Sequence, residues 1–143
     1  MSARKRVLII CTGNSARSQM AEALINAELG ACWQAVSGGT EPAPTVHPLA
    51  VRAMAEIGID ISDRQPKSVE LFHEEPLDAV ITVCDHARQT CPLWLGQGTV
   101  THIGFPDPAA AVGSEEERLE AFCQVRDAIR REVLPFLRNL HPC

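Results

Sequence analysis

Short apolar runs rich in β-branched residues alternate along this chain with stretches of helical period. Arg6 to Cys11 reads as a buried strand. From Ser15 to about Leu29 the spacing turns helical, with Met20, Leu24 and Ala27 on one stripe and Gly30 as the stop. A second strand is predicted at Gln34 to Ser37, followed by a turn-rich loop from Gly38 to Pro44. Pro48 suits the first turn of a helix whose inward stripe is Ala50, Met54 and Ile57, ending at Gly58. Ala79 to Val83 is a strongly apolar third strand and Val100 to Ile103 a weaker fourth. Ser114, with Glu117 three residues on, forms a capping box that opens a long helix carrying Leu119, Phe122, Ile129, Val133 and Phe136. This alternation predicts the α/β class: one doubly wound domain over residues 1–143, its four-stranded parallel sheet covered by helices on both faces. In such sheets ligands sit beyond the carboxyl ends of the strands.

Length and composition agree with that picture. A chain of 143 residues that is 45% hydrophobic buries a conventional core as one unit. The apolar run behind Arg4-Lys5-Arg6 is too short for a signal peptide, and no stretch approaches membrane-spanning length, so a cytoplasmic protein is expected. The formal charge of -5, with no larger basic block, argues against nucleic acid as a partner and requires any bound anion to be held locally. Six cysteines in a chain without a secretory signal point away from a disulfide framework, and no Cys or His pair has zinc-site spacing. Nucleophilic or redox chemistry remains.

The segment Cys11-Thr12-Gly13-Asn14-Ser15-Ala16-Arg17-Ser18 lies where the strand rule puts chemistry, between the first strand and the first helix. Consecutive backbone N–H groups from Thr12 to Ser18, joined to the unpaired N–H groups of the helix end, suit a tetrahedral oxyanion, and Gly13 lets the chain bend around it. Arg17 adds a planar fork of donors. The same positive fields favour a thiolate at Cys11. Ser18 is placed to donate a hydrogen bond to it, and Asn14 to pin the loop through its side chain. Taken singly, Cys11 would be a buried strand-end thiol and Arg17 a surface residue. Together, this Cys-x5-Arg-Ser pattern resembles the low-molecular-weight protein tyrosine phosphatases and the arsenate reductases built on the same fold, over nearly the whole chain.

Asp107, in Phe105-Pro106-Asp107-Pro108 after the fourth strand, emerges on the same face, its loop stiffened by prolines. An isolated Asp-Pro is a common turn opener. The resemblance implies instead that Asp107 is the general acid for a leaving oxygen, a role favoured by neighbouring negative charge. Phosphatases of the family follow this Asp-Pro with a tyrosine that stacks on the substrate ring. Here Ala109 to Ala111 follow, and the chain contains no tyrosine, which suits a small inorganic substrate.

The third strand runs into Cys84 and, seven residues later, Cys91-Pro92. If 84–91 form a helix, the two Cα atoms lie about 10 Å apart, beyond the ~4.4 to 6.8 Å usual across a disulfide. Pairing them requires the helix to unwind, as a redox switch would. The Cys-x6-Cys-Pro spacing resembles the thioredoxin-coupled arsenate reductases. That resemblance implies a relay in which Cys11 attacks arsenate, Cys84 attacks the Cys11 sulfur and releases arsenite, and Cys91 then pairs with Cys84, with thioredoxin as the reductant. It also implies a positive charge near Asn14, Glu22 and Ser37. Some relatives use a monovalent cation there, and here Lys67 is expected to provide the charge, so no metal and no cofactor is expected. Cys32 and Cys123 are expected to be structural and without partners, and Cys143 to be a mobile terminal thiol. The five scattered histidines are expected in solvated or locally satisfied roles, with His86 the one inside the redox segment. Two other functions fit the residues: phosphomonoester hydrolysis, which needs only Cys11, Arg17 and Asp107, and non-catalytic oxyanion or redox sensing.

Overall fold

The computed structural model describes residues 4–84 and 98–142. Strands β1 (Lys5–Cys11), β2 (Trp33–Gly39), β3 (Ala79–Cys84) and β4 (Thr99–Phe105) form one parallel sheet in the order β2-β1-β3-β4. Helices α1 (Arg17–Glu28), α2 (Pro48–Ala55) and α3 (Glu115–Leu140) pack with it, and single 3-10 turns occur at Val69–Phe72 and Pro108–Ala110. The doubly wound α/β class is therefore the one expected. Val7 to Cys11 and Ala79 to Val83 are buried without alternation, which requires cover on both faces of the two central strands. β4 is an edge strand with Val100 half exposed, and this explains its weaker apolar signal.

The chain leaves β1 toward β2 and then returns past β1 to β3, so the direction of winding reverses beside the end of β1. That reversal opens the crevice in which α/β proteins bind ligands. Ile10 lies opposite Thr82 in the parallel register, so β1 and β3 deliver Cys11 and Cys84 to the same edge of the sheet.

Helix α1 departs from the simple stripe. It is buried from Arg17 to Ile25, because the sheet covers one side and α3 and α2 pack on the others. Ala27, expected inside, is exposed: the Asn26 side chain takes the sheet-facing place, donating to the Ala35 carbonyl at 3.1 Å and accepting from the Ala35 N–H at 2.9 Å. The expected capping box of α3 is present, Ser114 Oγ accepting from the Glu117 N–H at 3.1 Å and the Glu117 carboxylate from the Ser114 N–H at 3.1 Å. Among the described residues no helix is long and apolar enough to cross a membrane.

Candidate active site

The loop after β1 is held from outside by its carbonyls. Those of Cys11, Thr12, Gly13 and Ser15 accept backbone N–H groups of Thr40, Glu41, Ala43 and His47 at 3.2, 2.9, 2.9 and 2.8 Å. With the carbonyl oxygens engaged by the 40–47 segment, the loop's own N–H groups face the other way, into a cradle that continues onto the first turn of α1. That helix begins at Ala16 with no side-chain cap, leaving its first N–H groups to a ligand. Gly39 makes the close approach possible, since a Cβ there would meet the Thr12 carbonyl oxygen at 2.5 Å.

Cys11 is buried at the head of this cradle. Its Sγ is 2.9 Å from Ser18 Oγ and accepts the Asn14 N–H at 3.3 Å, so the loop supplies two donors to a thiolate. Asn14 is fully buried with φ 50, the left-handed region that asparagine tolerates better than most residues. Its Nδ2 donates to Ser18 Oγ at 2.7 Å and to Ser37 Oγ at 2.9 Å, while its Oδ1 accepts the Lys67 N–H at 2.8 Å and Gln19 Nε2 at 3.1 Å.

Arg17 is buried and spans from the cradle to the end of β4, donating to the Phe105 carbonyl at 3.1 Å and standing 3.9 Å from Asp107 Oδ1. Asp107 caps the Pro108–Ala110 turn by accepting the Ala109 N–H at 2.9 Å. The carboxyl group is partly exposed, open to a substrate oxygen and to solvent. Asp107 also lines an apolar cleft of about 290 Å³, with Pro108, Ala111, Val125 and Ala128 among others, which offers little to an anion. Cys11, Arg17, Ser18 and Asp107 thus converge on one place. A buried thiol, a cradle of N–H donors, a guanidinium and a carboxyl group there provide the parts for displacement at a tetrahedral oxyanion.

The profile of the low molecular weight phosphotyrosine protein phosphatases matches residues 6–142. The chain belongs to this family. It is 42% identical over 133 residues to an arsenate reductase of Halalkalibacterium halodurans, covering 93% of this chain and 95% of that protein. Among solved structures, an arsenate reductase in the phosphate binding state superposes with a TM-score of 0.77 at 32% identity, covering 94% of this chain and 98% of that one. A low molecular weight protein tyrosine phosphatase from T. tengcongensis gives 0.75 at 26% identity, covering 94% and 99%.

Against that family background several expectations for individual residues change. Lys67 does not supply the charge beside Glu22: its Nζ donates to the Gln65 carbonyl at 3.4 Å, and Arg64 pairs with the Glu22 carboxylate instead. Only the path of the 61–68 segment decides which cation reaches Glu22. Gln19, which sequence reasoning passed over, is fully buried and ties the loop to the Gln65 carbonyl at 3.2 Å. The signal was present as a polar stripe, Ser15, Ser18, Gln19 and Glu22, on a helix that otherwise reads as core. His47 takes the second of the two roles expected of the histidines, a locally satisfied one: its Nδ1 accepts the Leu49 N–H at 3.1 Å, capping α2, and its ring lies 4.6 Å from Phe122. Burial, then Arg118, hold its pKa below 6.5, with Asp107 opposing.

Cys32, expected without a partner, is disulfide-bonded. The chain after α3 returns to this corner, where His141 meets Trp33 edge-on at 6.1 Å, a proximity that sequence spacing does not encode. Cys123 is buried against Glu56 at 3.4 Å, and burial first, then that hydrogen bond, push its thiol up to about 11, which makes it inert at neutral pH. Cys84 ends β3 with its backbone opposite Phe105. The side chain of Cys84, and Cys91, His86 and Cys143 altogether, lie outside the described residues. No group of three metal-ligating side chains occurs among the described residues.

Proposed function

We propose that this protein reduces arsenate to arsenite, with Cys11 as the nucleophile. The observation that carries the reading is the buried Cys11 thiol, lying 2.9 Å from Ser18 in a loop whose N–H groups face inward, in a chain similar over nearly its whole length to arsenate reductases. The Thr12 to Ser18 N–H groups and the Arg17 fork bind the arsenate oxygens. Cys11 attacks arsenic as one oxygen leaves, and Asp107 protonates that oxygen so that it departs as water. Cys84 then attacks the Cys11 sulfur, the sulfur–arsenic pair stays on arsenic, and arsenite is released as As(III). Cys91 attacks Cys84, freeing Cys11 and leaving a Cys84–Cys91 disulfide for thioredoxin to reduce. The parallel register supports this order, because it brings the Cys84 backbone to the same sheet edge as Cys11. Such a cycle belongs in the cytoplasm, where thioredoxin is kept reduced.

The test is arsenate-dependent NADPH oxidation with thioredoxin and thioredoxin reductase, run beside glutathione and glutaredoxin. Cys91→Ser should lose repeated turnover while one round of arsenite release survives, and undiminished turnover would sink the relay. A second reading, phosphomonoester hydrolysis, is favoured by the family's own chemistry and needs no second thiol. Cys84→Ser separates the two: it should abolish arsenate reduction and spare aryl phosphate hydrolysis. Phosphate ester turnover far more efficient than arsenate turnover would reverse the assignment.

A further inference from the structure

Behind the anion loop runs a buried chain of hydrogen bonds whose donors and acceptors have a fixed order. The Lys67 N–H needs an acceptor and finds Asn14 Oδ1 at 2.8 Å, so the Asn14 amide cannot turn over and must present Nδ2 to both serines. Ser37 therefore receives a hydrogen from Asn14 and gives its own to Glu22 Oε1 at 2.9 Å. Ser18 likewise receives one from Asn14 and has its single hydrogen left for Cys11 Sγ at 2.9 Å. Glu22 Oε1 is the acceptor that ends the chain and so sets its direction. Its carboxylate side chain is 5% exposed, and the cation paired with it is Arg64. A carboxylate this deep is costly without a countercharge.

We infer that Arg64 is a positioning residue for the Cys11 thiolate, acting through Glu22, Ser37, Asn14 and Ser18. Without the guanidinium, the Glu22 carboxylate is left as an uncompensated buried charge at the end of the hydrogen-bond chain that leads to Cys11. It moves toward solvent, Ser37 and the Asn14 amide lose their fixed order, Ser18 is aimed less well at the sulfur, and the bare negative charge opposes a second one on Cys11. Arg64 lies on the far side of the loop from Asp107 in this chain of contacts and acts without touching a substrate. The inference rests on Cys11 being the nucleophile, and its test is read on Cys11 directly.

The experiment measures alkylation of Cys11 by iodoacetamide across pH, resolved by peptide mass spectrometry, in the full chain without arsenate. For Arg64→Ala the midpoint should move up by about 0.7 to 1 pH unit, and kcat/KM for arsenate at pH values below it should fall about five- to tenfold, as the thiolate fraction does. The lost rate should return as pH rises. Arg64→Lys should restore most of both. The Arg64 side chain is 38% exposed, so a path from solvent to Glu22 opens when it is cut back, and millimolar guanidinium ion should rescue Arg64→Ala. Adding Glu22→Gln to Arg64→Ala should bring the midpoint part of the way back, since the uncompensated charge is gone.

An alkylation midpoint unchanged in Arg64→Ala overturns the inference, and so does a rate loss equal at every pH, which marks a role in folding alone. If Arg64→Ala is too unstable to measure, Arg64→Gln takes its place with the same expectations. Retention of arsenate reduction by Cys11→Ser would sink the proposed function instead, a result independent of how Cys11 alkylation responds to Arg64.

Discussion

Asn14→Ala removes the side chain on which the site's geometry depends, and its cost follows from the structure. Four hydrogen bonds are lost, at 2.7, 2.9, 2.8 and 3.1 Å. Ser18, Ser37 and Gln19 each keep another partner, so three of these losses carry only the modest net value of a hydrogen bond. The Lys67 N–H has no other partner among the described residues and carries the larger cost of an unmet, part-buried donor. Alanine at φ 50 adds backbone strain. Together these amount to about 3 to 5 kcal/mol, allowing for some entry of water into the space left behind. At ~2 to 4 °C per kcal/mol, the thermal midpoint should fall by roughly 6 to 20 °C. Urea unfolding followed by circular dichroism measures the free-energy loss, provided the slope stays constant. Asn14→Gly supplies the control: it loses the same bonds without the strain and should be at least as stable as Asn14→Ala, although glycine is usually the less stable of the two. An Asn14→Ala protein within about 1 kcal/mol of wild type would refute the hydrogen-bond reasoning. A glycine variant clearly weaker than the alanine one would refute the strain reasoning.

Arg17→Lys should keep the charge but lose the fork that reaches the substrate while holding Phe105, weakening inhibition by inorganic phosphate about 10- to 100-fold; affinity within twofold of wild type would contradict it. His47 has a folded pKa below 6.5, chiefly through burial, and protonation would place a hydrogen on the Nδ1 that accepts from Leu49. Its contribution to stability is therefore complete above pH 6.5 and declines as pH falls below that value, where the unfolded chain binds the proton more readily. His47→Asn keeps a good helix cap and removes the titration, so its unfolding free energy should change less than the wild type's between pH 6.5 and 5.5. Equal slopes would show that His47 does not contribute.

Much of this protein was legible from local pattern. Strand-like runs at Val7 to Ile10 and Ala79 to Val83, the capping box at Ser114 and Glu117, and the glycine and proline punctuation all reflect preferences within a few residues of the chain. The Cys11 to Ser18 loop was equally legible, because a strand end, a helix start and one short loop lie together in sequence and bring the thiol, the N–H groups and Arg17 to one place. Tertiary structure decided what lies across from them. Ala27 turned outward because Asn26 met β2, Cys32 found a disulfide partner, and the 40–47 segment turned the loop's N–H groups inward by binding its carbonyls. Arg64 rather than Lys67 reached Glu22 for the same reason. Sequence determines which groups are available and their local conformation, whereas the pairing of buried charges and donors depends on segments that meet only when the core closes. There the cost of leaving a polar group unmet selects one partner out of several in reach.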